Sequence, residues 1–193
     1  FLLSRDGKRL YGTLIQMETA NIPEGVTKIG YECFYGTYFK KIHIPNSVRT
    51  IEKRAFLTDT ETVISISSKN KYFGLKNKCL YNKKNGLLVA AMIKDGYLKL
   101  PTKIKMLSDG TSYTGGKIKK IIIPKTVKKI KGNWLMGKTE KAKVYCYTKK
   151  VLVKNSYSFG FFSKLYVPKK LYLTYKKTLK KDIKQRYIKV YKK

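Results

Sequence analysis

The apolar and polar positions of this chain follow a repeated unit. The segment IPEGVTKIGYECF, residues 22–34, returns as IPNSVRTIEKRAF, residues 44–56, so that Ile44 takes the place of Ile22. The unit returns again as LPTKIKML from Leu100, as IPKTVKKIKGNWL from Ile123 and, in weaker form, as VPKKLYL from Val167. Self-similarity at such a period is typical of a solenoid in which each repeat forms one coil.

The five prolines all occupy one slot of this unit. Each follows an aliphatic residue that ends a short run of alternating apolar positions, as in IHIP, LKLP and LYVP. Because proline has no N–H to donate to a sheet, each one marks the end of a strand. Together with VISIS (residues 63–67) and VYCY (residues 144–147), the runs predict seven rungs. The prolines are Pro23, Pro45, Pro101, Pro124 and Pro168, and strands are expected near Ile42, Ile64, Leu98, Ile121, Val144 and Leu165.

One unit, residues 39–56, shows how a coil is built. Ile42 and Ile44 alternate and so face inward from a strand, whereas Val48 and Ile51 form an i, i+3 pair after the proline turn. Ala55 and Phe56 then close the coil, and no coil can bury its apolar face alone. Stacking predicts a parallel sheet on one side and short helical or irregular turns on the other.

The long interval between the second and third prolines carries an insertion. CLYNKKNGLLVAA, residues 79–91, places Asn85-Gly86 between apolar runs, which is a hairpin turn signal. LLSRDGKRLYG at the N-terminus places Asp6-Gly7 in the same role. A longer repeat, in which Leu88 takes the place of Leu10, therefore overlies the short one.

At these residues the chain resembles the BspA-like class of leucine-rich repeats, which reads approximately L-x-x-I-x-I-P-x-x-V-x-x-I-x-x-x-A-F. Residues 39–56 follow that pattern, and CLYNKKNGLL resembles the hairpin insertion of the class. The resemblance implies an α/β repeat solenoid with right-handed coils and no enzymatic activity. It also implies a secreted or cell-surface protein that acts in adhesion. Departures at Asp95 and Ser112 predict a loosened coil beside the insertion.

After Pro168 the repeat gives way to a lysine-rich segment. Tyr172, Tyr175, Leu179 and Ile183 recur at helical spacing, which predicts an amphipathic helix, and residues 188–190 suggest a last strand. We expect residues 169–193 to cap the open end of a single solenoid spanning residues 1–193, in which residues 68–95 form a long repeat with the hairpin. The alternative is a basic helix that binds a membrane or nucleic acid.

Charge is distributed very unevenly. Residues 1–61 hold 9 basic and 7 acidic residues, whereas residues 62–193 hold 35 basic and only 4 acidic ones. A field of this density attracts polyanions, so nucleic acid, anionic wall polymers and sulfated glycans are all candidate partners. The chain has no initiating Met and no apolar run long enough to span a membrane, and we expect any export signal to lie outside it.

Catalytic and metal chemistry lack their usual residues. The single histidine, His43, lies between two inward-facing isoleucines and is expected on the surface. The carboxylates show no paired or clustered pattern, so glycosidase, phosphoryl-transfer and calcium sites are not indicated. Cys33, Cys79 and Cys146 show no metal spacing, and reduced, buried thiols are expected. We therefore predict a non-enzymatic protein without cofactor, metal or small-molecule substrate.

The outward face of the sheet remains as a candidate ligand surface. Alternation places lysines and aromatic rings there in successive rungs, a combination suited to anionic glycans or single-stranded nucleic acid, although a chain rich in Lys and Tyr places such residues on many surfaces. One hypothesis is an exported module that binds a host or matrix protein or glycan, and another is a polyanion binder acting through charge. An intracellular nucleic-acid protein is a third, without a motif of that class. The candidate residues are Lys41, His43, Tyr97, Lys99, Lys120, Lys143, Tyr145, Lys164 and Tyr166.

Overall fold

The computed structural model of the chain describes residues 1–14, 18–58, 60–135, 138–160 and 163–193. The chain divides into two compact units. The first unit comprises residues 1–94 and 110–116, and the second comprises residues 95–109 and 117–193. That both units belong to one solenoid over residues 1–193 stays a prediction.

The described part of the first unit contains three sheets. Its strands are β1 (Leu2–Leu3), β2 (Arg9–Gly12), β3 (Thr19–Asn21), β4 (Lys28–Ile29), β5 (Lys41–Ile44), β6 (Thr50–Ile51), β7 (Val63–Ile66), β8 (Phe73–Lys76), β9 (Cys79–Asn82), β10 (Leu88–Met92) and β13 (Ser112–Thr114). Strands β3, β5 and β7 form a parallel sheet in that order. The other sheets have the orders β1-β2-β4-β6 and β13-β10-β9-β8.

The described part of the second unit contains a larger parallel sheet and a short parallel pair. Its strands are β11 (Tyr97–Lys99), β12 (Met106–Leu107), β14 (Ile118–Ile123), β15 (Lys129–Ile130), β16 (Thr139–Cys146), β17 (Ser163–Val167) and β18 (Ile188–Lys192). The five-stranded sheet has the order β11-β14-β16-β17-β18, and β12 pairs with β15. Its helices are two 3₁₀ turns (Ser156–Phe159 and Lys169–Leu171), α1 (Tyr172–Thr178) and α2 (Lys180–Lys184).

These strands confirm the predicted parallel-sheet solenoid of stacked coils. All six named strand positions lie in strands, and neighbouring rungs pair in register, as in Ile42 with Ile64 and Ile121 with Val144. The inward-facing residues Ile42, Ile44 and Phe56 are fully buried. Burying a side chain of this size contributes roughly 1.5–3 kcal/mol, so each added coil stabilises its neighbour.

Short strands form part of the side of the coil where only helical or irregular turns were expected. Ile51, which we expected in a short helical or irregular turn, lies in β6 and pairs with Ile29 of β4. The N–H groups of Arg49 and Glu52 donate to the carbonyls of Thr27 and Ile29 in the preceding rung, at 2.8 and 2.9 Å. Bonds between rungs satisfy these backbone groups, as an isolated helical turn could not.

Both predicted hairpins are present. β9 pairs antiparallel with β10, and β1 pairs antiparallel with β2. Gly86 and Gly7 each have a φ of +68°, and their N–H groups donate to the carbonyls of Asn82 and Ser4 at 2.9 and 2.8 Å. Glycine is the residue that adopts this left-handed backbone without steric cost, which explains its place in both turns.

The two departures from the repeat have different outcomes. Asp95 and Gly96 both adopt left-handed backbone, with φ of +55° and +70°, as in a type I′ turn. Ser112, by contrast, is buried, and its hydroxyl oxygen accepts the Phe56 N–H at 3.0 Å, while the neighbouring Tyr113 is fully buried. The prediction of a loosened coil at Ser112 is therefore wrong. The hydrogen bond of the Ser112 hydroxyl and the buried ring of Tyr113 replace the missing Phe.

The C-terminal segment contains the expected apolar stripe, but as two short helices. Leu179, with φ of −100° and ψ of 19°, separates α1 from α2. Tyr175 and Leu179 are fully buried, and the Tyr175 hydroxyl lies 3.4 Å from that of Thr148. The suggested last strand is confirmed as β18. No helix in the described part of the chain is long and apolar enough to cross a membrane.

Candidate functional site

The candidate surface residues belong to two different sheets. Lys41 and His43 lie on β5 in the first unit, and the other seven candidates lie on the five-stranded sheet of the second unit. The two groups therefore have different surroundings.

The outward face of the first unit is mixed in character. Lys41 pairs in register with Thr19 and Val63, and His43 pairs with Asn21 and Ser65. His43 Nδ1 lies 2.9 Å from the Ser65 hydroxyl, so the imidazole is held by a neutral neighbour. This face combines small polar, apolar and single charged residues and shows no repeated charge.

The outward face of the second unit carries a column of lysines. Along one row, Tyr97 pairs with Lys120, Lys120 with Lys143, Lys143 with Lys164, and Lys164 with Lys189. All four lysines are exposed. Adjacent strands of a sheet lie about 4.8 Å apart, so four ammonium-bearing side chains leave the backbone at one constant step. We call Lys120, Lys143, Lys164 and Lys189 the lysine column.

The next outward row carries a column of tyrosines. Tyr145, Tyr166 and Tyr191 are paired in register, and their rings stack, with centroids 4.7 Å apart for the first pair and 5.1 Å for the second. Interplanar angles of 9° and 20° show that ring faces meet one another. The Lys120 ammonium lies 5.4 Å from the Tyr145 ring centroid and 5.6 Å from that of Tyr97. We call Tyr145, Tyr166 and Tyr191 the tyrosine column.

This stacking changes the chemistry expected of the rings. The Tyr166 ring is stacked between Tyr145 and Tyr191, so its faces are not open to a sugar or base. The edge of a stacked ring still carries its hydroxyl, and a Tyr hydroxyl both donates and accepts hydrogen bonds. The tyrosine column is therefore suited to hydrogen bonding with an anionic group beside the lysine column, and less to stacking on a ligand.

Sequence reasoning suggested the last strand but left its two outward residues out of the candidate surface. Lys189 and Tyr191 lie on β18 and extend both columns by one strand. The signal was present, because IKVYK at residues 188–192 has the same alternation as SKLYV at residues 163–167. The helical pattern of the preceding lysine-rich segment masked it.

Ten outward positions of this sheet are paired in two rows in the described residues, and none of these ten is acidic. They comprise five lysines, four tyrosines and one isoleucine, namely Tyr97, Lys99, Lys120, Ile122, Lys143, Tyr145, Lys164, Tyr166, Lys189 and Tyr191. Like charges directly opposite on neighbouring strands destabilise a sheet. The lysine column therefore opposes folding unless an anion neutralises it, and we call these ten positions the sheet face.

The three cysteines are buried and unpaired with one another. Burial raises the pKa of the Cys33 and Cys79 thiols to about 12, so neither thiol is nucleophilic near neutral pH. Cys146 lies in the second unit, with its sulfur 3.2 Å from the Thr148 hydroxyl and 3.5 Å from that of Tyr175. In the residues that the structure describes, no group of three or more His, Cys, Asp or Glu side chains is placed to hold a metal.

Comparison with known proteins decides the family. Residues 7–141 match six copies of the BspA type leucine-rich repeat region. The chain belongs to the BspA-type leucine-rich repeat family. BspA-type repeats are a fold typical of surface interaction modules. A search of curated proteins gives no match.

Two solved structures are similar to this BspA-type chain. A leucine-rich repeat protein from Eubacterium ventriosum aligns with a TM-score of 0.50 and 24% identity, over 71% of this chain and 43% of that protein. A leucine rich cell surface protein from Faecalibacterium prausnitzii aligns with a TM-score of 0.34 and 18% identity, over 70% of this chain and 55% of that protein. The first likeness concerns the fold alone. This chain spans less than two thirds of either protein.

Proposed function

We propose that this BspA-type chain is a non-catalytic adhesion module that binds an anionic ligand, a glycan or an acidic protein segment, through the sheet face of its second unit. The observation that carries the proposal is the lysine column, in which four exposed ammonium groups are aligned across neighbouring strands. A sheet gains nothing from such an alignment, whereas a ligand with repeated anionic groups neutralises every rung of it.

The charge of the whole unit supports this choice of ligand. The second unit holds 28 basic and 4 acidic residues, a balance of +24, against 16 and 7 in the first unit, a balance of +9. A surface of one sign raises the local concentration of oppositely charged ligands and speeds their association. The sheet face lies within this field and adds regular spacing and tyrosine hydroxyls to it.

The dimensions of the sheet face favour an extended ligand. Five strands at about 4.8 Å separation give a face about 19 Å long from β11 to β18. An anionic polysaccharide or an extended acidic segment lying across the strands meets one lysine at each of four successive rungs. A compact ligand would contact only one or two of them.

We further propose that the protein acts at the cell surface or after secretion, with a host or matrix component as its partner. Membership of a family whose proteins are usually surface or secreted supports this location. Sulfated glycans of extracellular matrix carry the repeated anionic groups that the sheet face suits, which connects the location to the surface chemistry.

Two charge-matched variants test the role of the sheet face. K120Q/K143Q/K164Q removes three charges from the lysine column, and K176Q/K177Q/K180Q removes three exposed charges from α1 and α2. Calorimetric titration with heparin at about 50 mM salt should show affinity reduced about ten-fold or more in the first variant and about three-fold or less in the second. Undetectable heparin binding by the unmodified chain would refute the proposal.

A second candidate function is a polyanion binder without a formed site, which the balance of +24 in the second unit favours. In that case both triple variants lose the same affinity, and binding follows ionic strength alone. Duplex DNA tests the second candidate, the polyanion binder without a formed site. If about five phosphates are neutralised, the logarithm of the binding constant for DNA should fall with the logarithm of the salt concentration at a slope of roughly −4 to −5. Heparin binding that persists at about 0.15 M salt, where exposed charges are strongly screened, indicates the formed site.

A further inference from the structure

A second basic feature of the second unit lies at the turns that follow β14 and β16. These parallel strands end at Ile123 and Cys146, which are paired in register. The segments that follow them therefore run side by side at one edge of the sheet. They border a cavity of about 490 Å³. Its lining consists of Lys125, Thr126, Val127, Lys128, Lys149 and Lys150, none of which belongs to the sheet face.

The floor and walls of this cavity are fixed by hydrogen bonds to the backbone. Val127 is 2% exposed, and its N–H donates to the Pro124 carbonyl at 3.2 Å. The Thr126 hydroxyl donates to the Ile104 carbonyl at 3.0 Å, which ties one turn to the preceding rung. On the other side, the Thr148 hydroxyl donates to the Lys150 carbonyl at 2.9 Å. Bonds of this kind hold both turns in one conformation, so the cavity is a preformed feature of the coil.

Among the described residues, the four lysines around the cavity have no counter-charge. All four are exposed, and in the described part of the chain their side chains form no ion pair or hydrogen bond. Lysine buries its aliphatic stem along apolar surface and keeps the ammonium group in water, so the stems and Val127 form an apolar lining beneath a charged rim. A concave surface lined by one sign of charge focuses the field more than a flat surface does.

We infer that this cavity binds a compact polyanion that carries clustered phosphate or sulfate groups. A lysine ammonium is a point charge with three rotatable donors, which suits tetrahedral oxyanions approached from several directions. Four of them around one cavity match a molecule with several such groups. The volume lies in the range of roughly 300–1,000 Å³ found for small-molecule sites and exceeds what a single phosphate fills. This site goes beyond the proposed function, with which it shares no residue.

The test uses the full chain and two probes, tripolyphosphate and sucrose octasulfate. Calorimetric titration at about 50 mM salt should give one saturable site per chain for at least one probe, and the tighter probe identifies phosphate or sulfate as the source. K125Q/K128Q/K149Q/K150Q should weaken that binding at least ten-fold, whereas the charge-matched control K176Q/K177Q/K180Q/K181Q should weaken it about three-fold or less. All eight lysines are exposed, so neither variant disturbs the core.

Further measurements separate this inference from the proposed function. The sheet-face variant K120Q/K143Q/K164Q should keep its affinity for the tighter probe within about three-fold, even if heparin binding to the sheet face fails. Equal losses in the cavity variant and the helix control would overturn the inference, because charge alone would explain the binding. Citrate bound as tightly as either probe would overturn it as well, since the geometry of clustered tetrahedral groups would then be irrelevant.

Discussion

The two units place different charges on the same repeat. In the first unit Glu52 is contacted by Lys28 of the neighbouring coil at 2.7 Å and by Arg9 of the coil before that at 3.1 Å. Arg54 likewise meets Glu32 one coil away at 3.5 Å. The second unit has 4 acids for 28 bases, so most of its cations have no counter-charge within the unit.

The buried positions of the two units, in contrast, are alike. Ile42 and Ile64 of the first unit and Ile121, Val144 and Leu165 of the second are all at most 1% exposed. The coil therefore depends on its inner positions, while its outer positions vary without loss of the fold. The cations of the second unit repel one another and so do not favour folding, which supports the binding role proposed for them.

The largest expected effect concerns thiol reactivity. At pH about 8 the Cys33 and Cys79 thiols should react about a thousand-fold more slowly in the native chain than in denaturant, because a pKa of about 12 leaves almost no thiolate.

The labelling rate of Cys146 reports on the stability of the second unit. Raising salt from about 0.02 to 0.5 M should slow its labelling more than that of Cys33, because screening relieves the repulsion of +24 charges.

Mass spectrometry of labelled peptides measures all three cysteines in one experiment. Rapid labelling of native Cys33, or an intramolecular disulfide, would contradict the buried, reduced state. If the labelling rates of Cys33 and Cys146 depend equally on salt, the expected electrostatic difference between the two units is contradicted.

The next effect is the cost of opening a coil. Phe56 is fully buried and stacks on Phe34 with centroids 5.5 Å apart, and Leu135 occupies the same repeat slot in the second unit. Phe56→Ala should lower the free energy of unfolding by about 3–4 kcal/mol and Leu135→Ala by about 2–3 kcal/mol. Urea denaturation followed by Trp134 fluorescence reports the second unit, and Cys33 labelling reports the first. A loss below about 1 kcal/mol for Phe56→Ala would show that this coil is not closed as described.

A smaller effect is expected from the ion pairs between coils. The hydrogen bond from Lys28 is the main cause that holds the pKa of Glu52 below its ordinary value, supported by the Tyr31 N–H and the charge of Arg9. Because the folded pKa is the lower one, this stabilisation is present above the unfolded pKa of about 4.3 and is lost as pH falls through the folded pKa. Glu52→Gln should therefore cost about 1 kcal/mol at neutral pH and less near pH 3.

Lys131 of the second unit occupies the repeat position that Glu52 has in the first unit. The substitution Glu52→Lys therefore places the residue of the second unit at this position of the first. Glu52→Lys should cost more than Glu52→Gln, since it also sets a third cation beside Arg9 and Lys28. Denaturation at the two pH values measures both variants. A pH-independent loss in Glu52→Gln would mean that the carboxylate charge is not the source of stability.

The smallest expected effect is a gain in folding stability. Lys143 faces a lysine on each side of the lysine column, so Lys143→Gln should raise the free energy of unfolding by about 0.5 kcal/mol at low salt. The control Lys177→Gln, on the exposed side of α1, should change it less. Thermal denaturation at low and high salt checks this, and a stability loss in Lys143→Gln would mean that the column is not repulsive.

Much of the fold could be predicted because its signal is local and repeated. Alternation in runs such as Lys41–Ile44 fixes which residues face inward, and proline marks where each strand ends. Asn85-Gly86 and Asp6-Gly7 placed both hairpins by their turn chemistry. The break at Leu179 and the burial of Ser112 were not predicted, because both depend on contacts with residues distant in sequence.

The candidate surface was predicted in its residues but not in its geometry. Alternation gave the outward positions of β14, β16 and β17, whereas the stacking of Tyr166 between its neighbours depends on side-chain rotamers that no sequence pattern specifies. The cavity beside Lys125 and Lys149 could not be predicted either, since it forms between turns that belong to two successive coils. The uneven charge indicated which unit is the more basic one but no particular place within it.

The lysines of the lysine column are evenly spaced, so a ligand with repeated anionic groups has no single preferred register along the column. Displacing a polymer by one strand brings each anionic group to the next lysine and loses only the contact at one end. A chain of anionic groups longer than the column accordingly has several equivalent ways to bind, which adds to its affinity through mixing entropy and lets it move by single steps without full release. The affinity should then rise with polymer length even beyond the length of the sheet face, because a longer polymer has more equivalent registers in which it can bind.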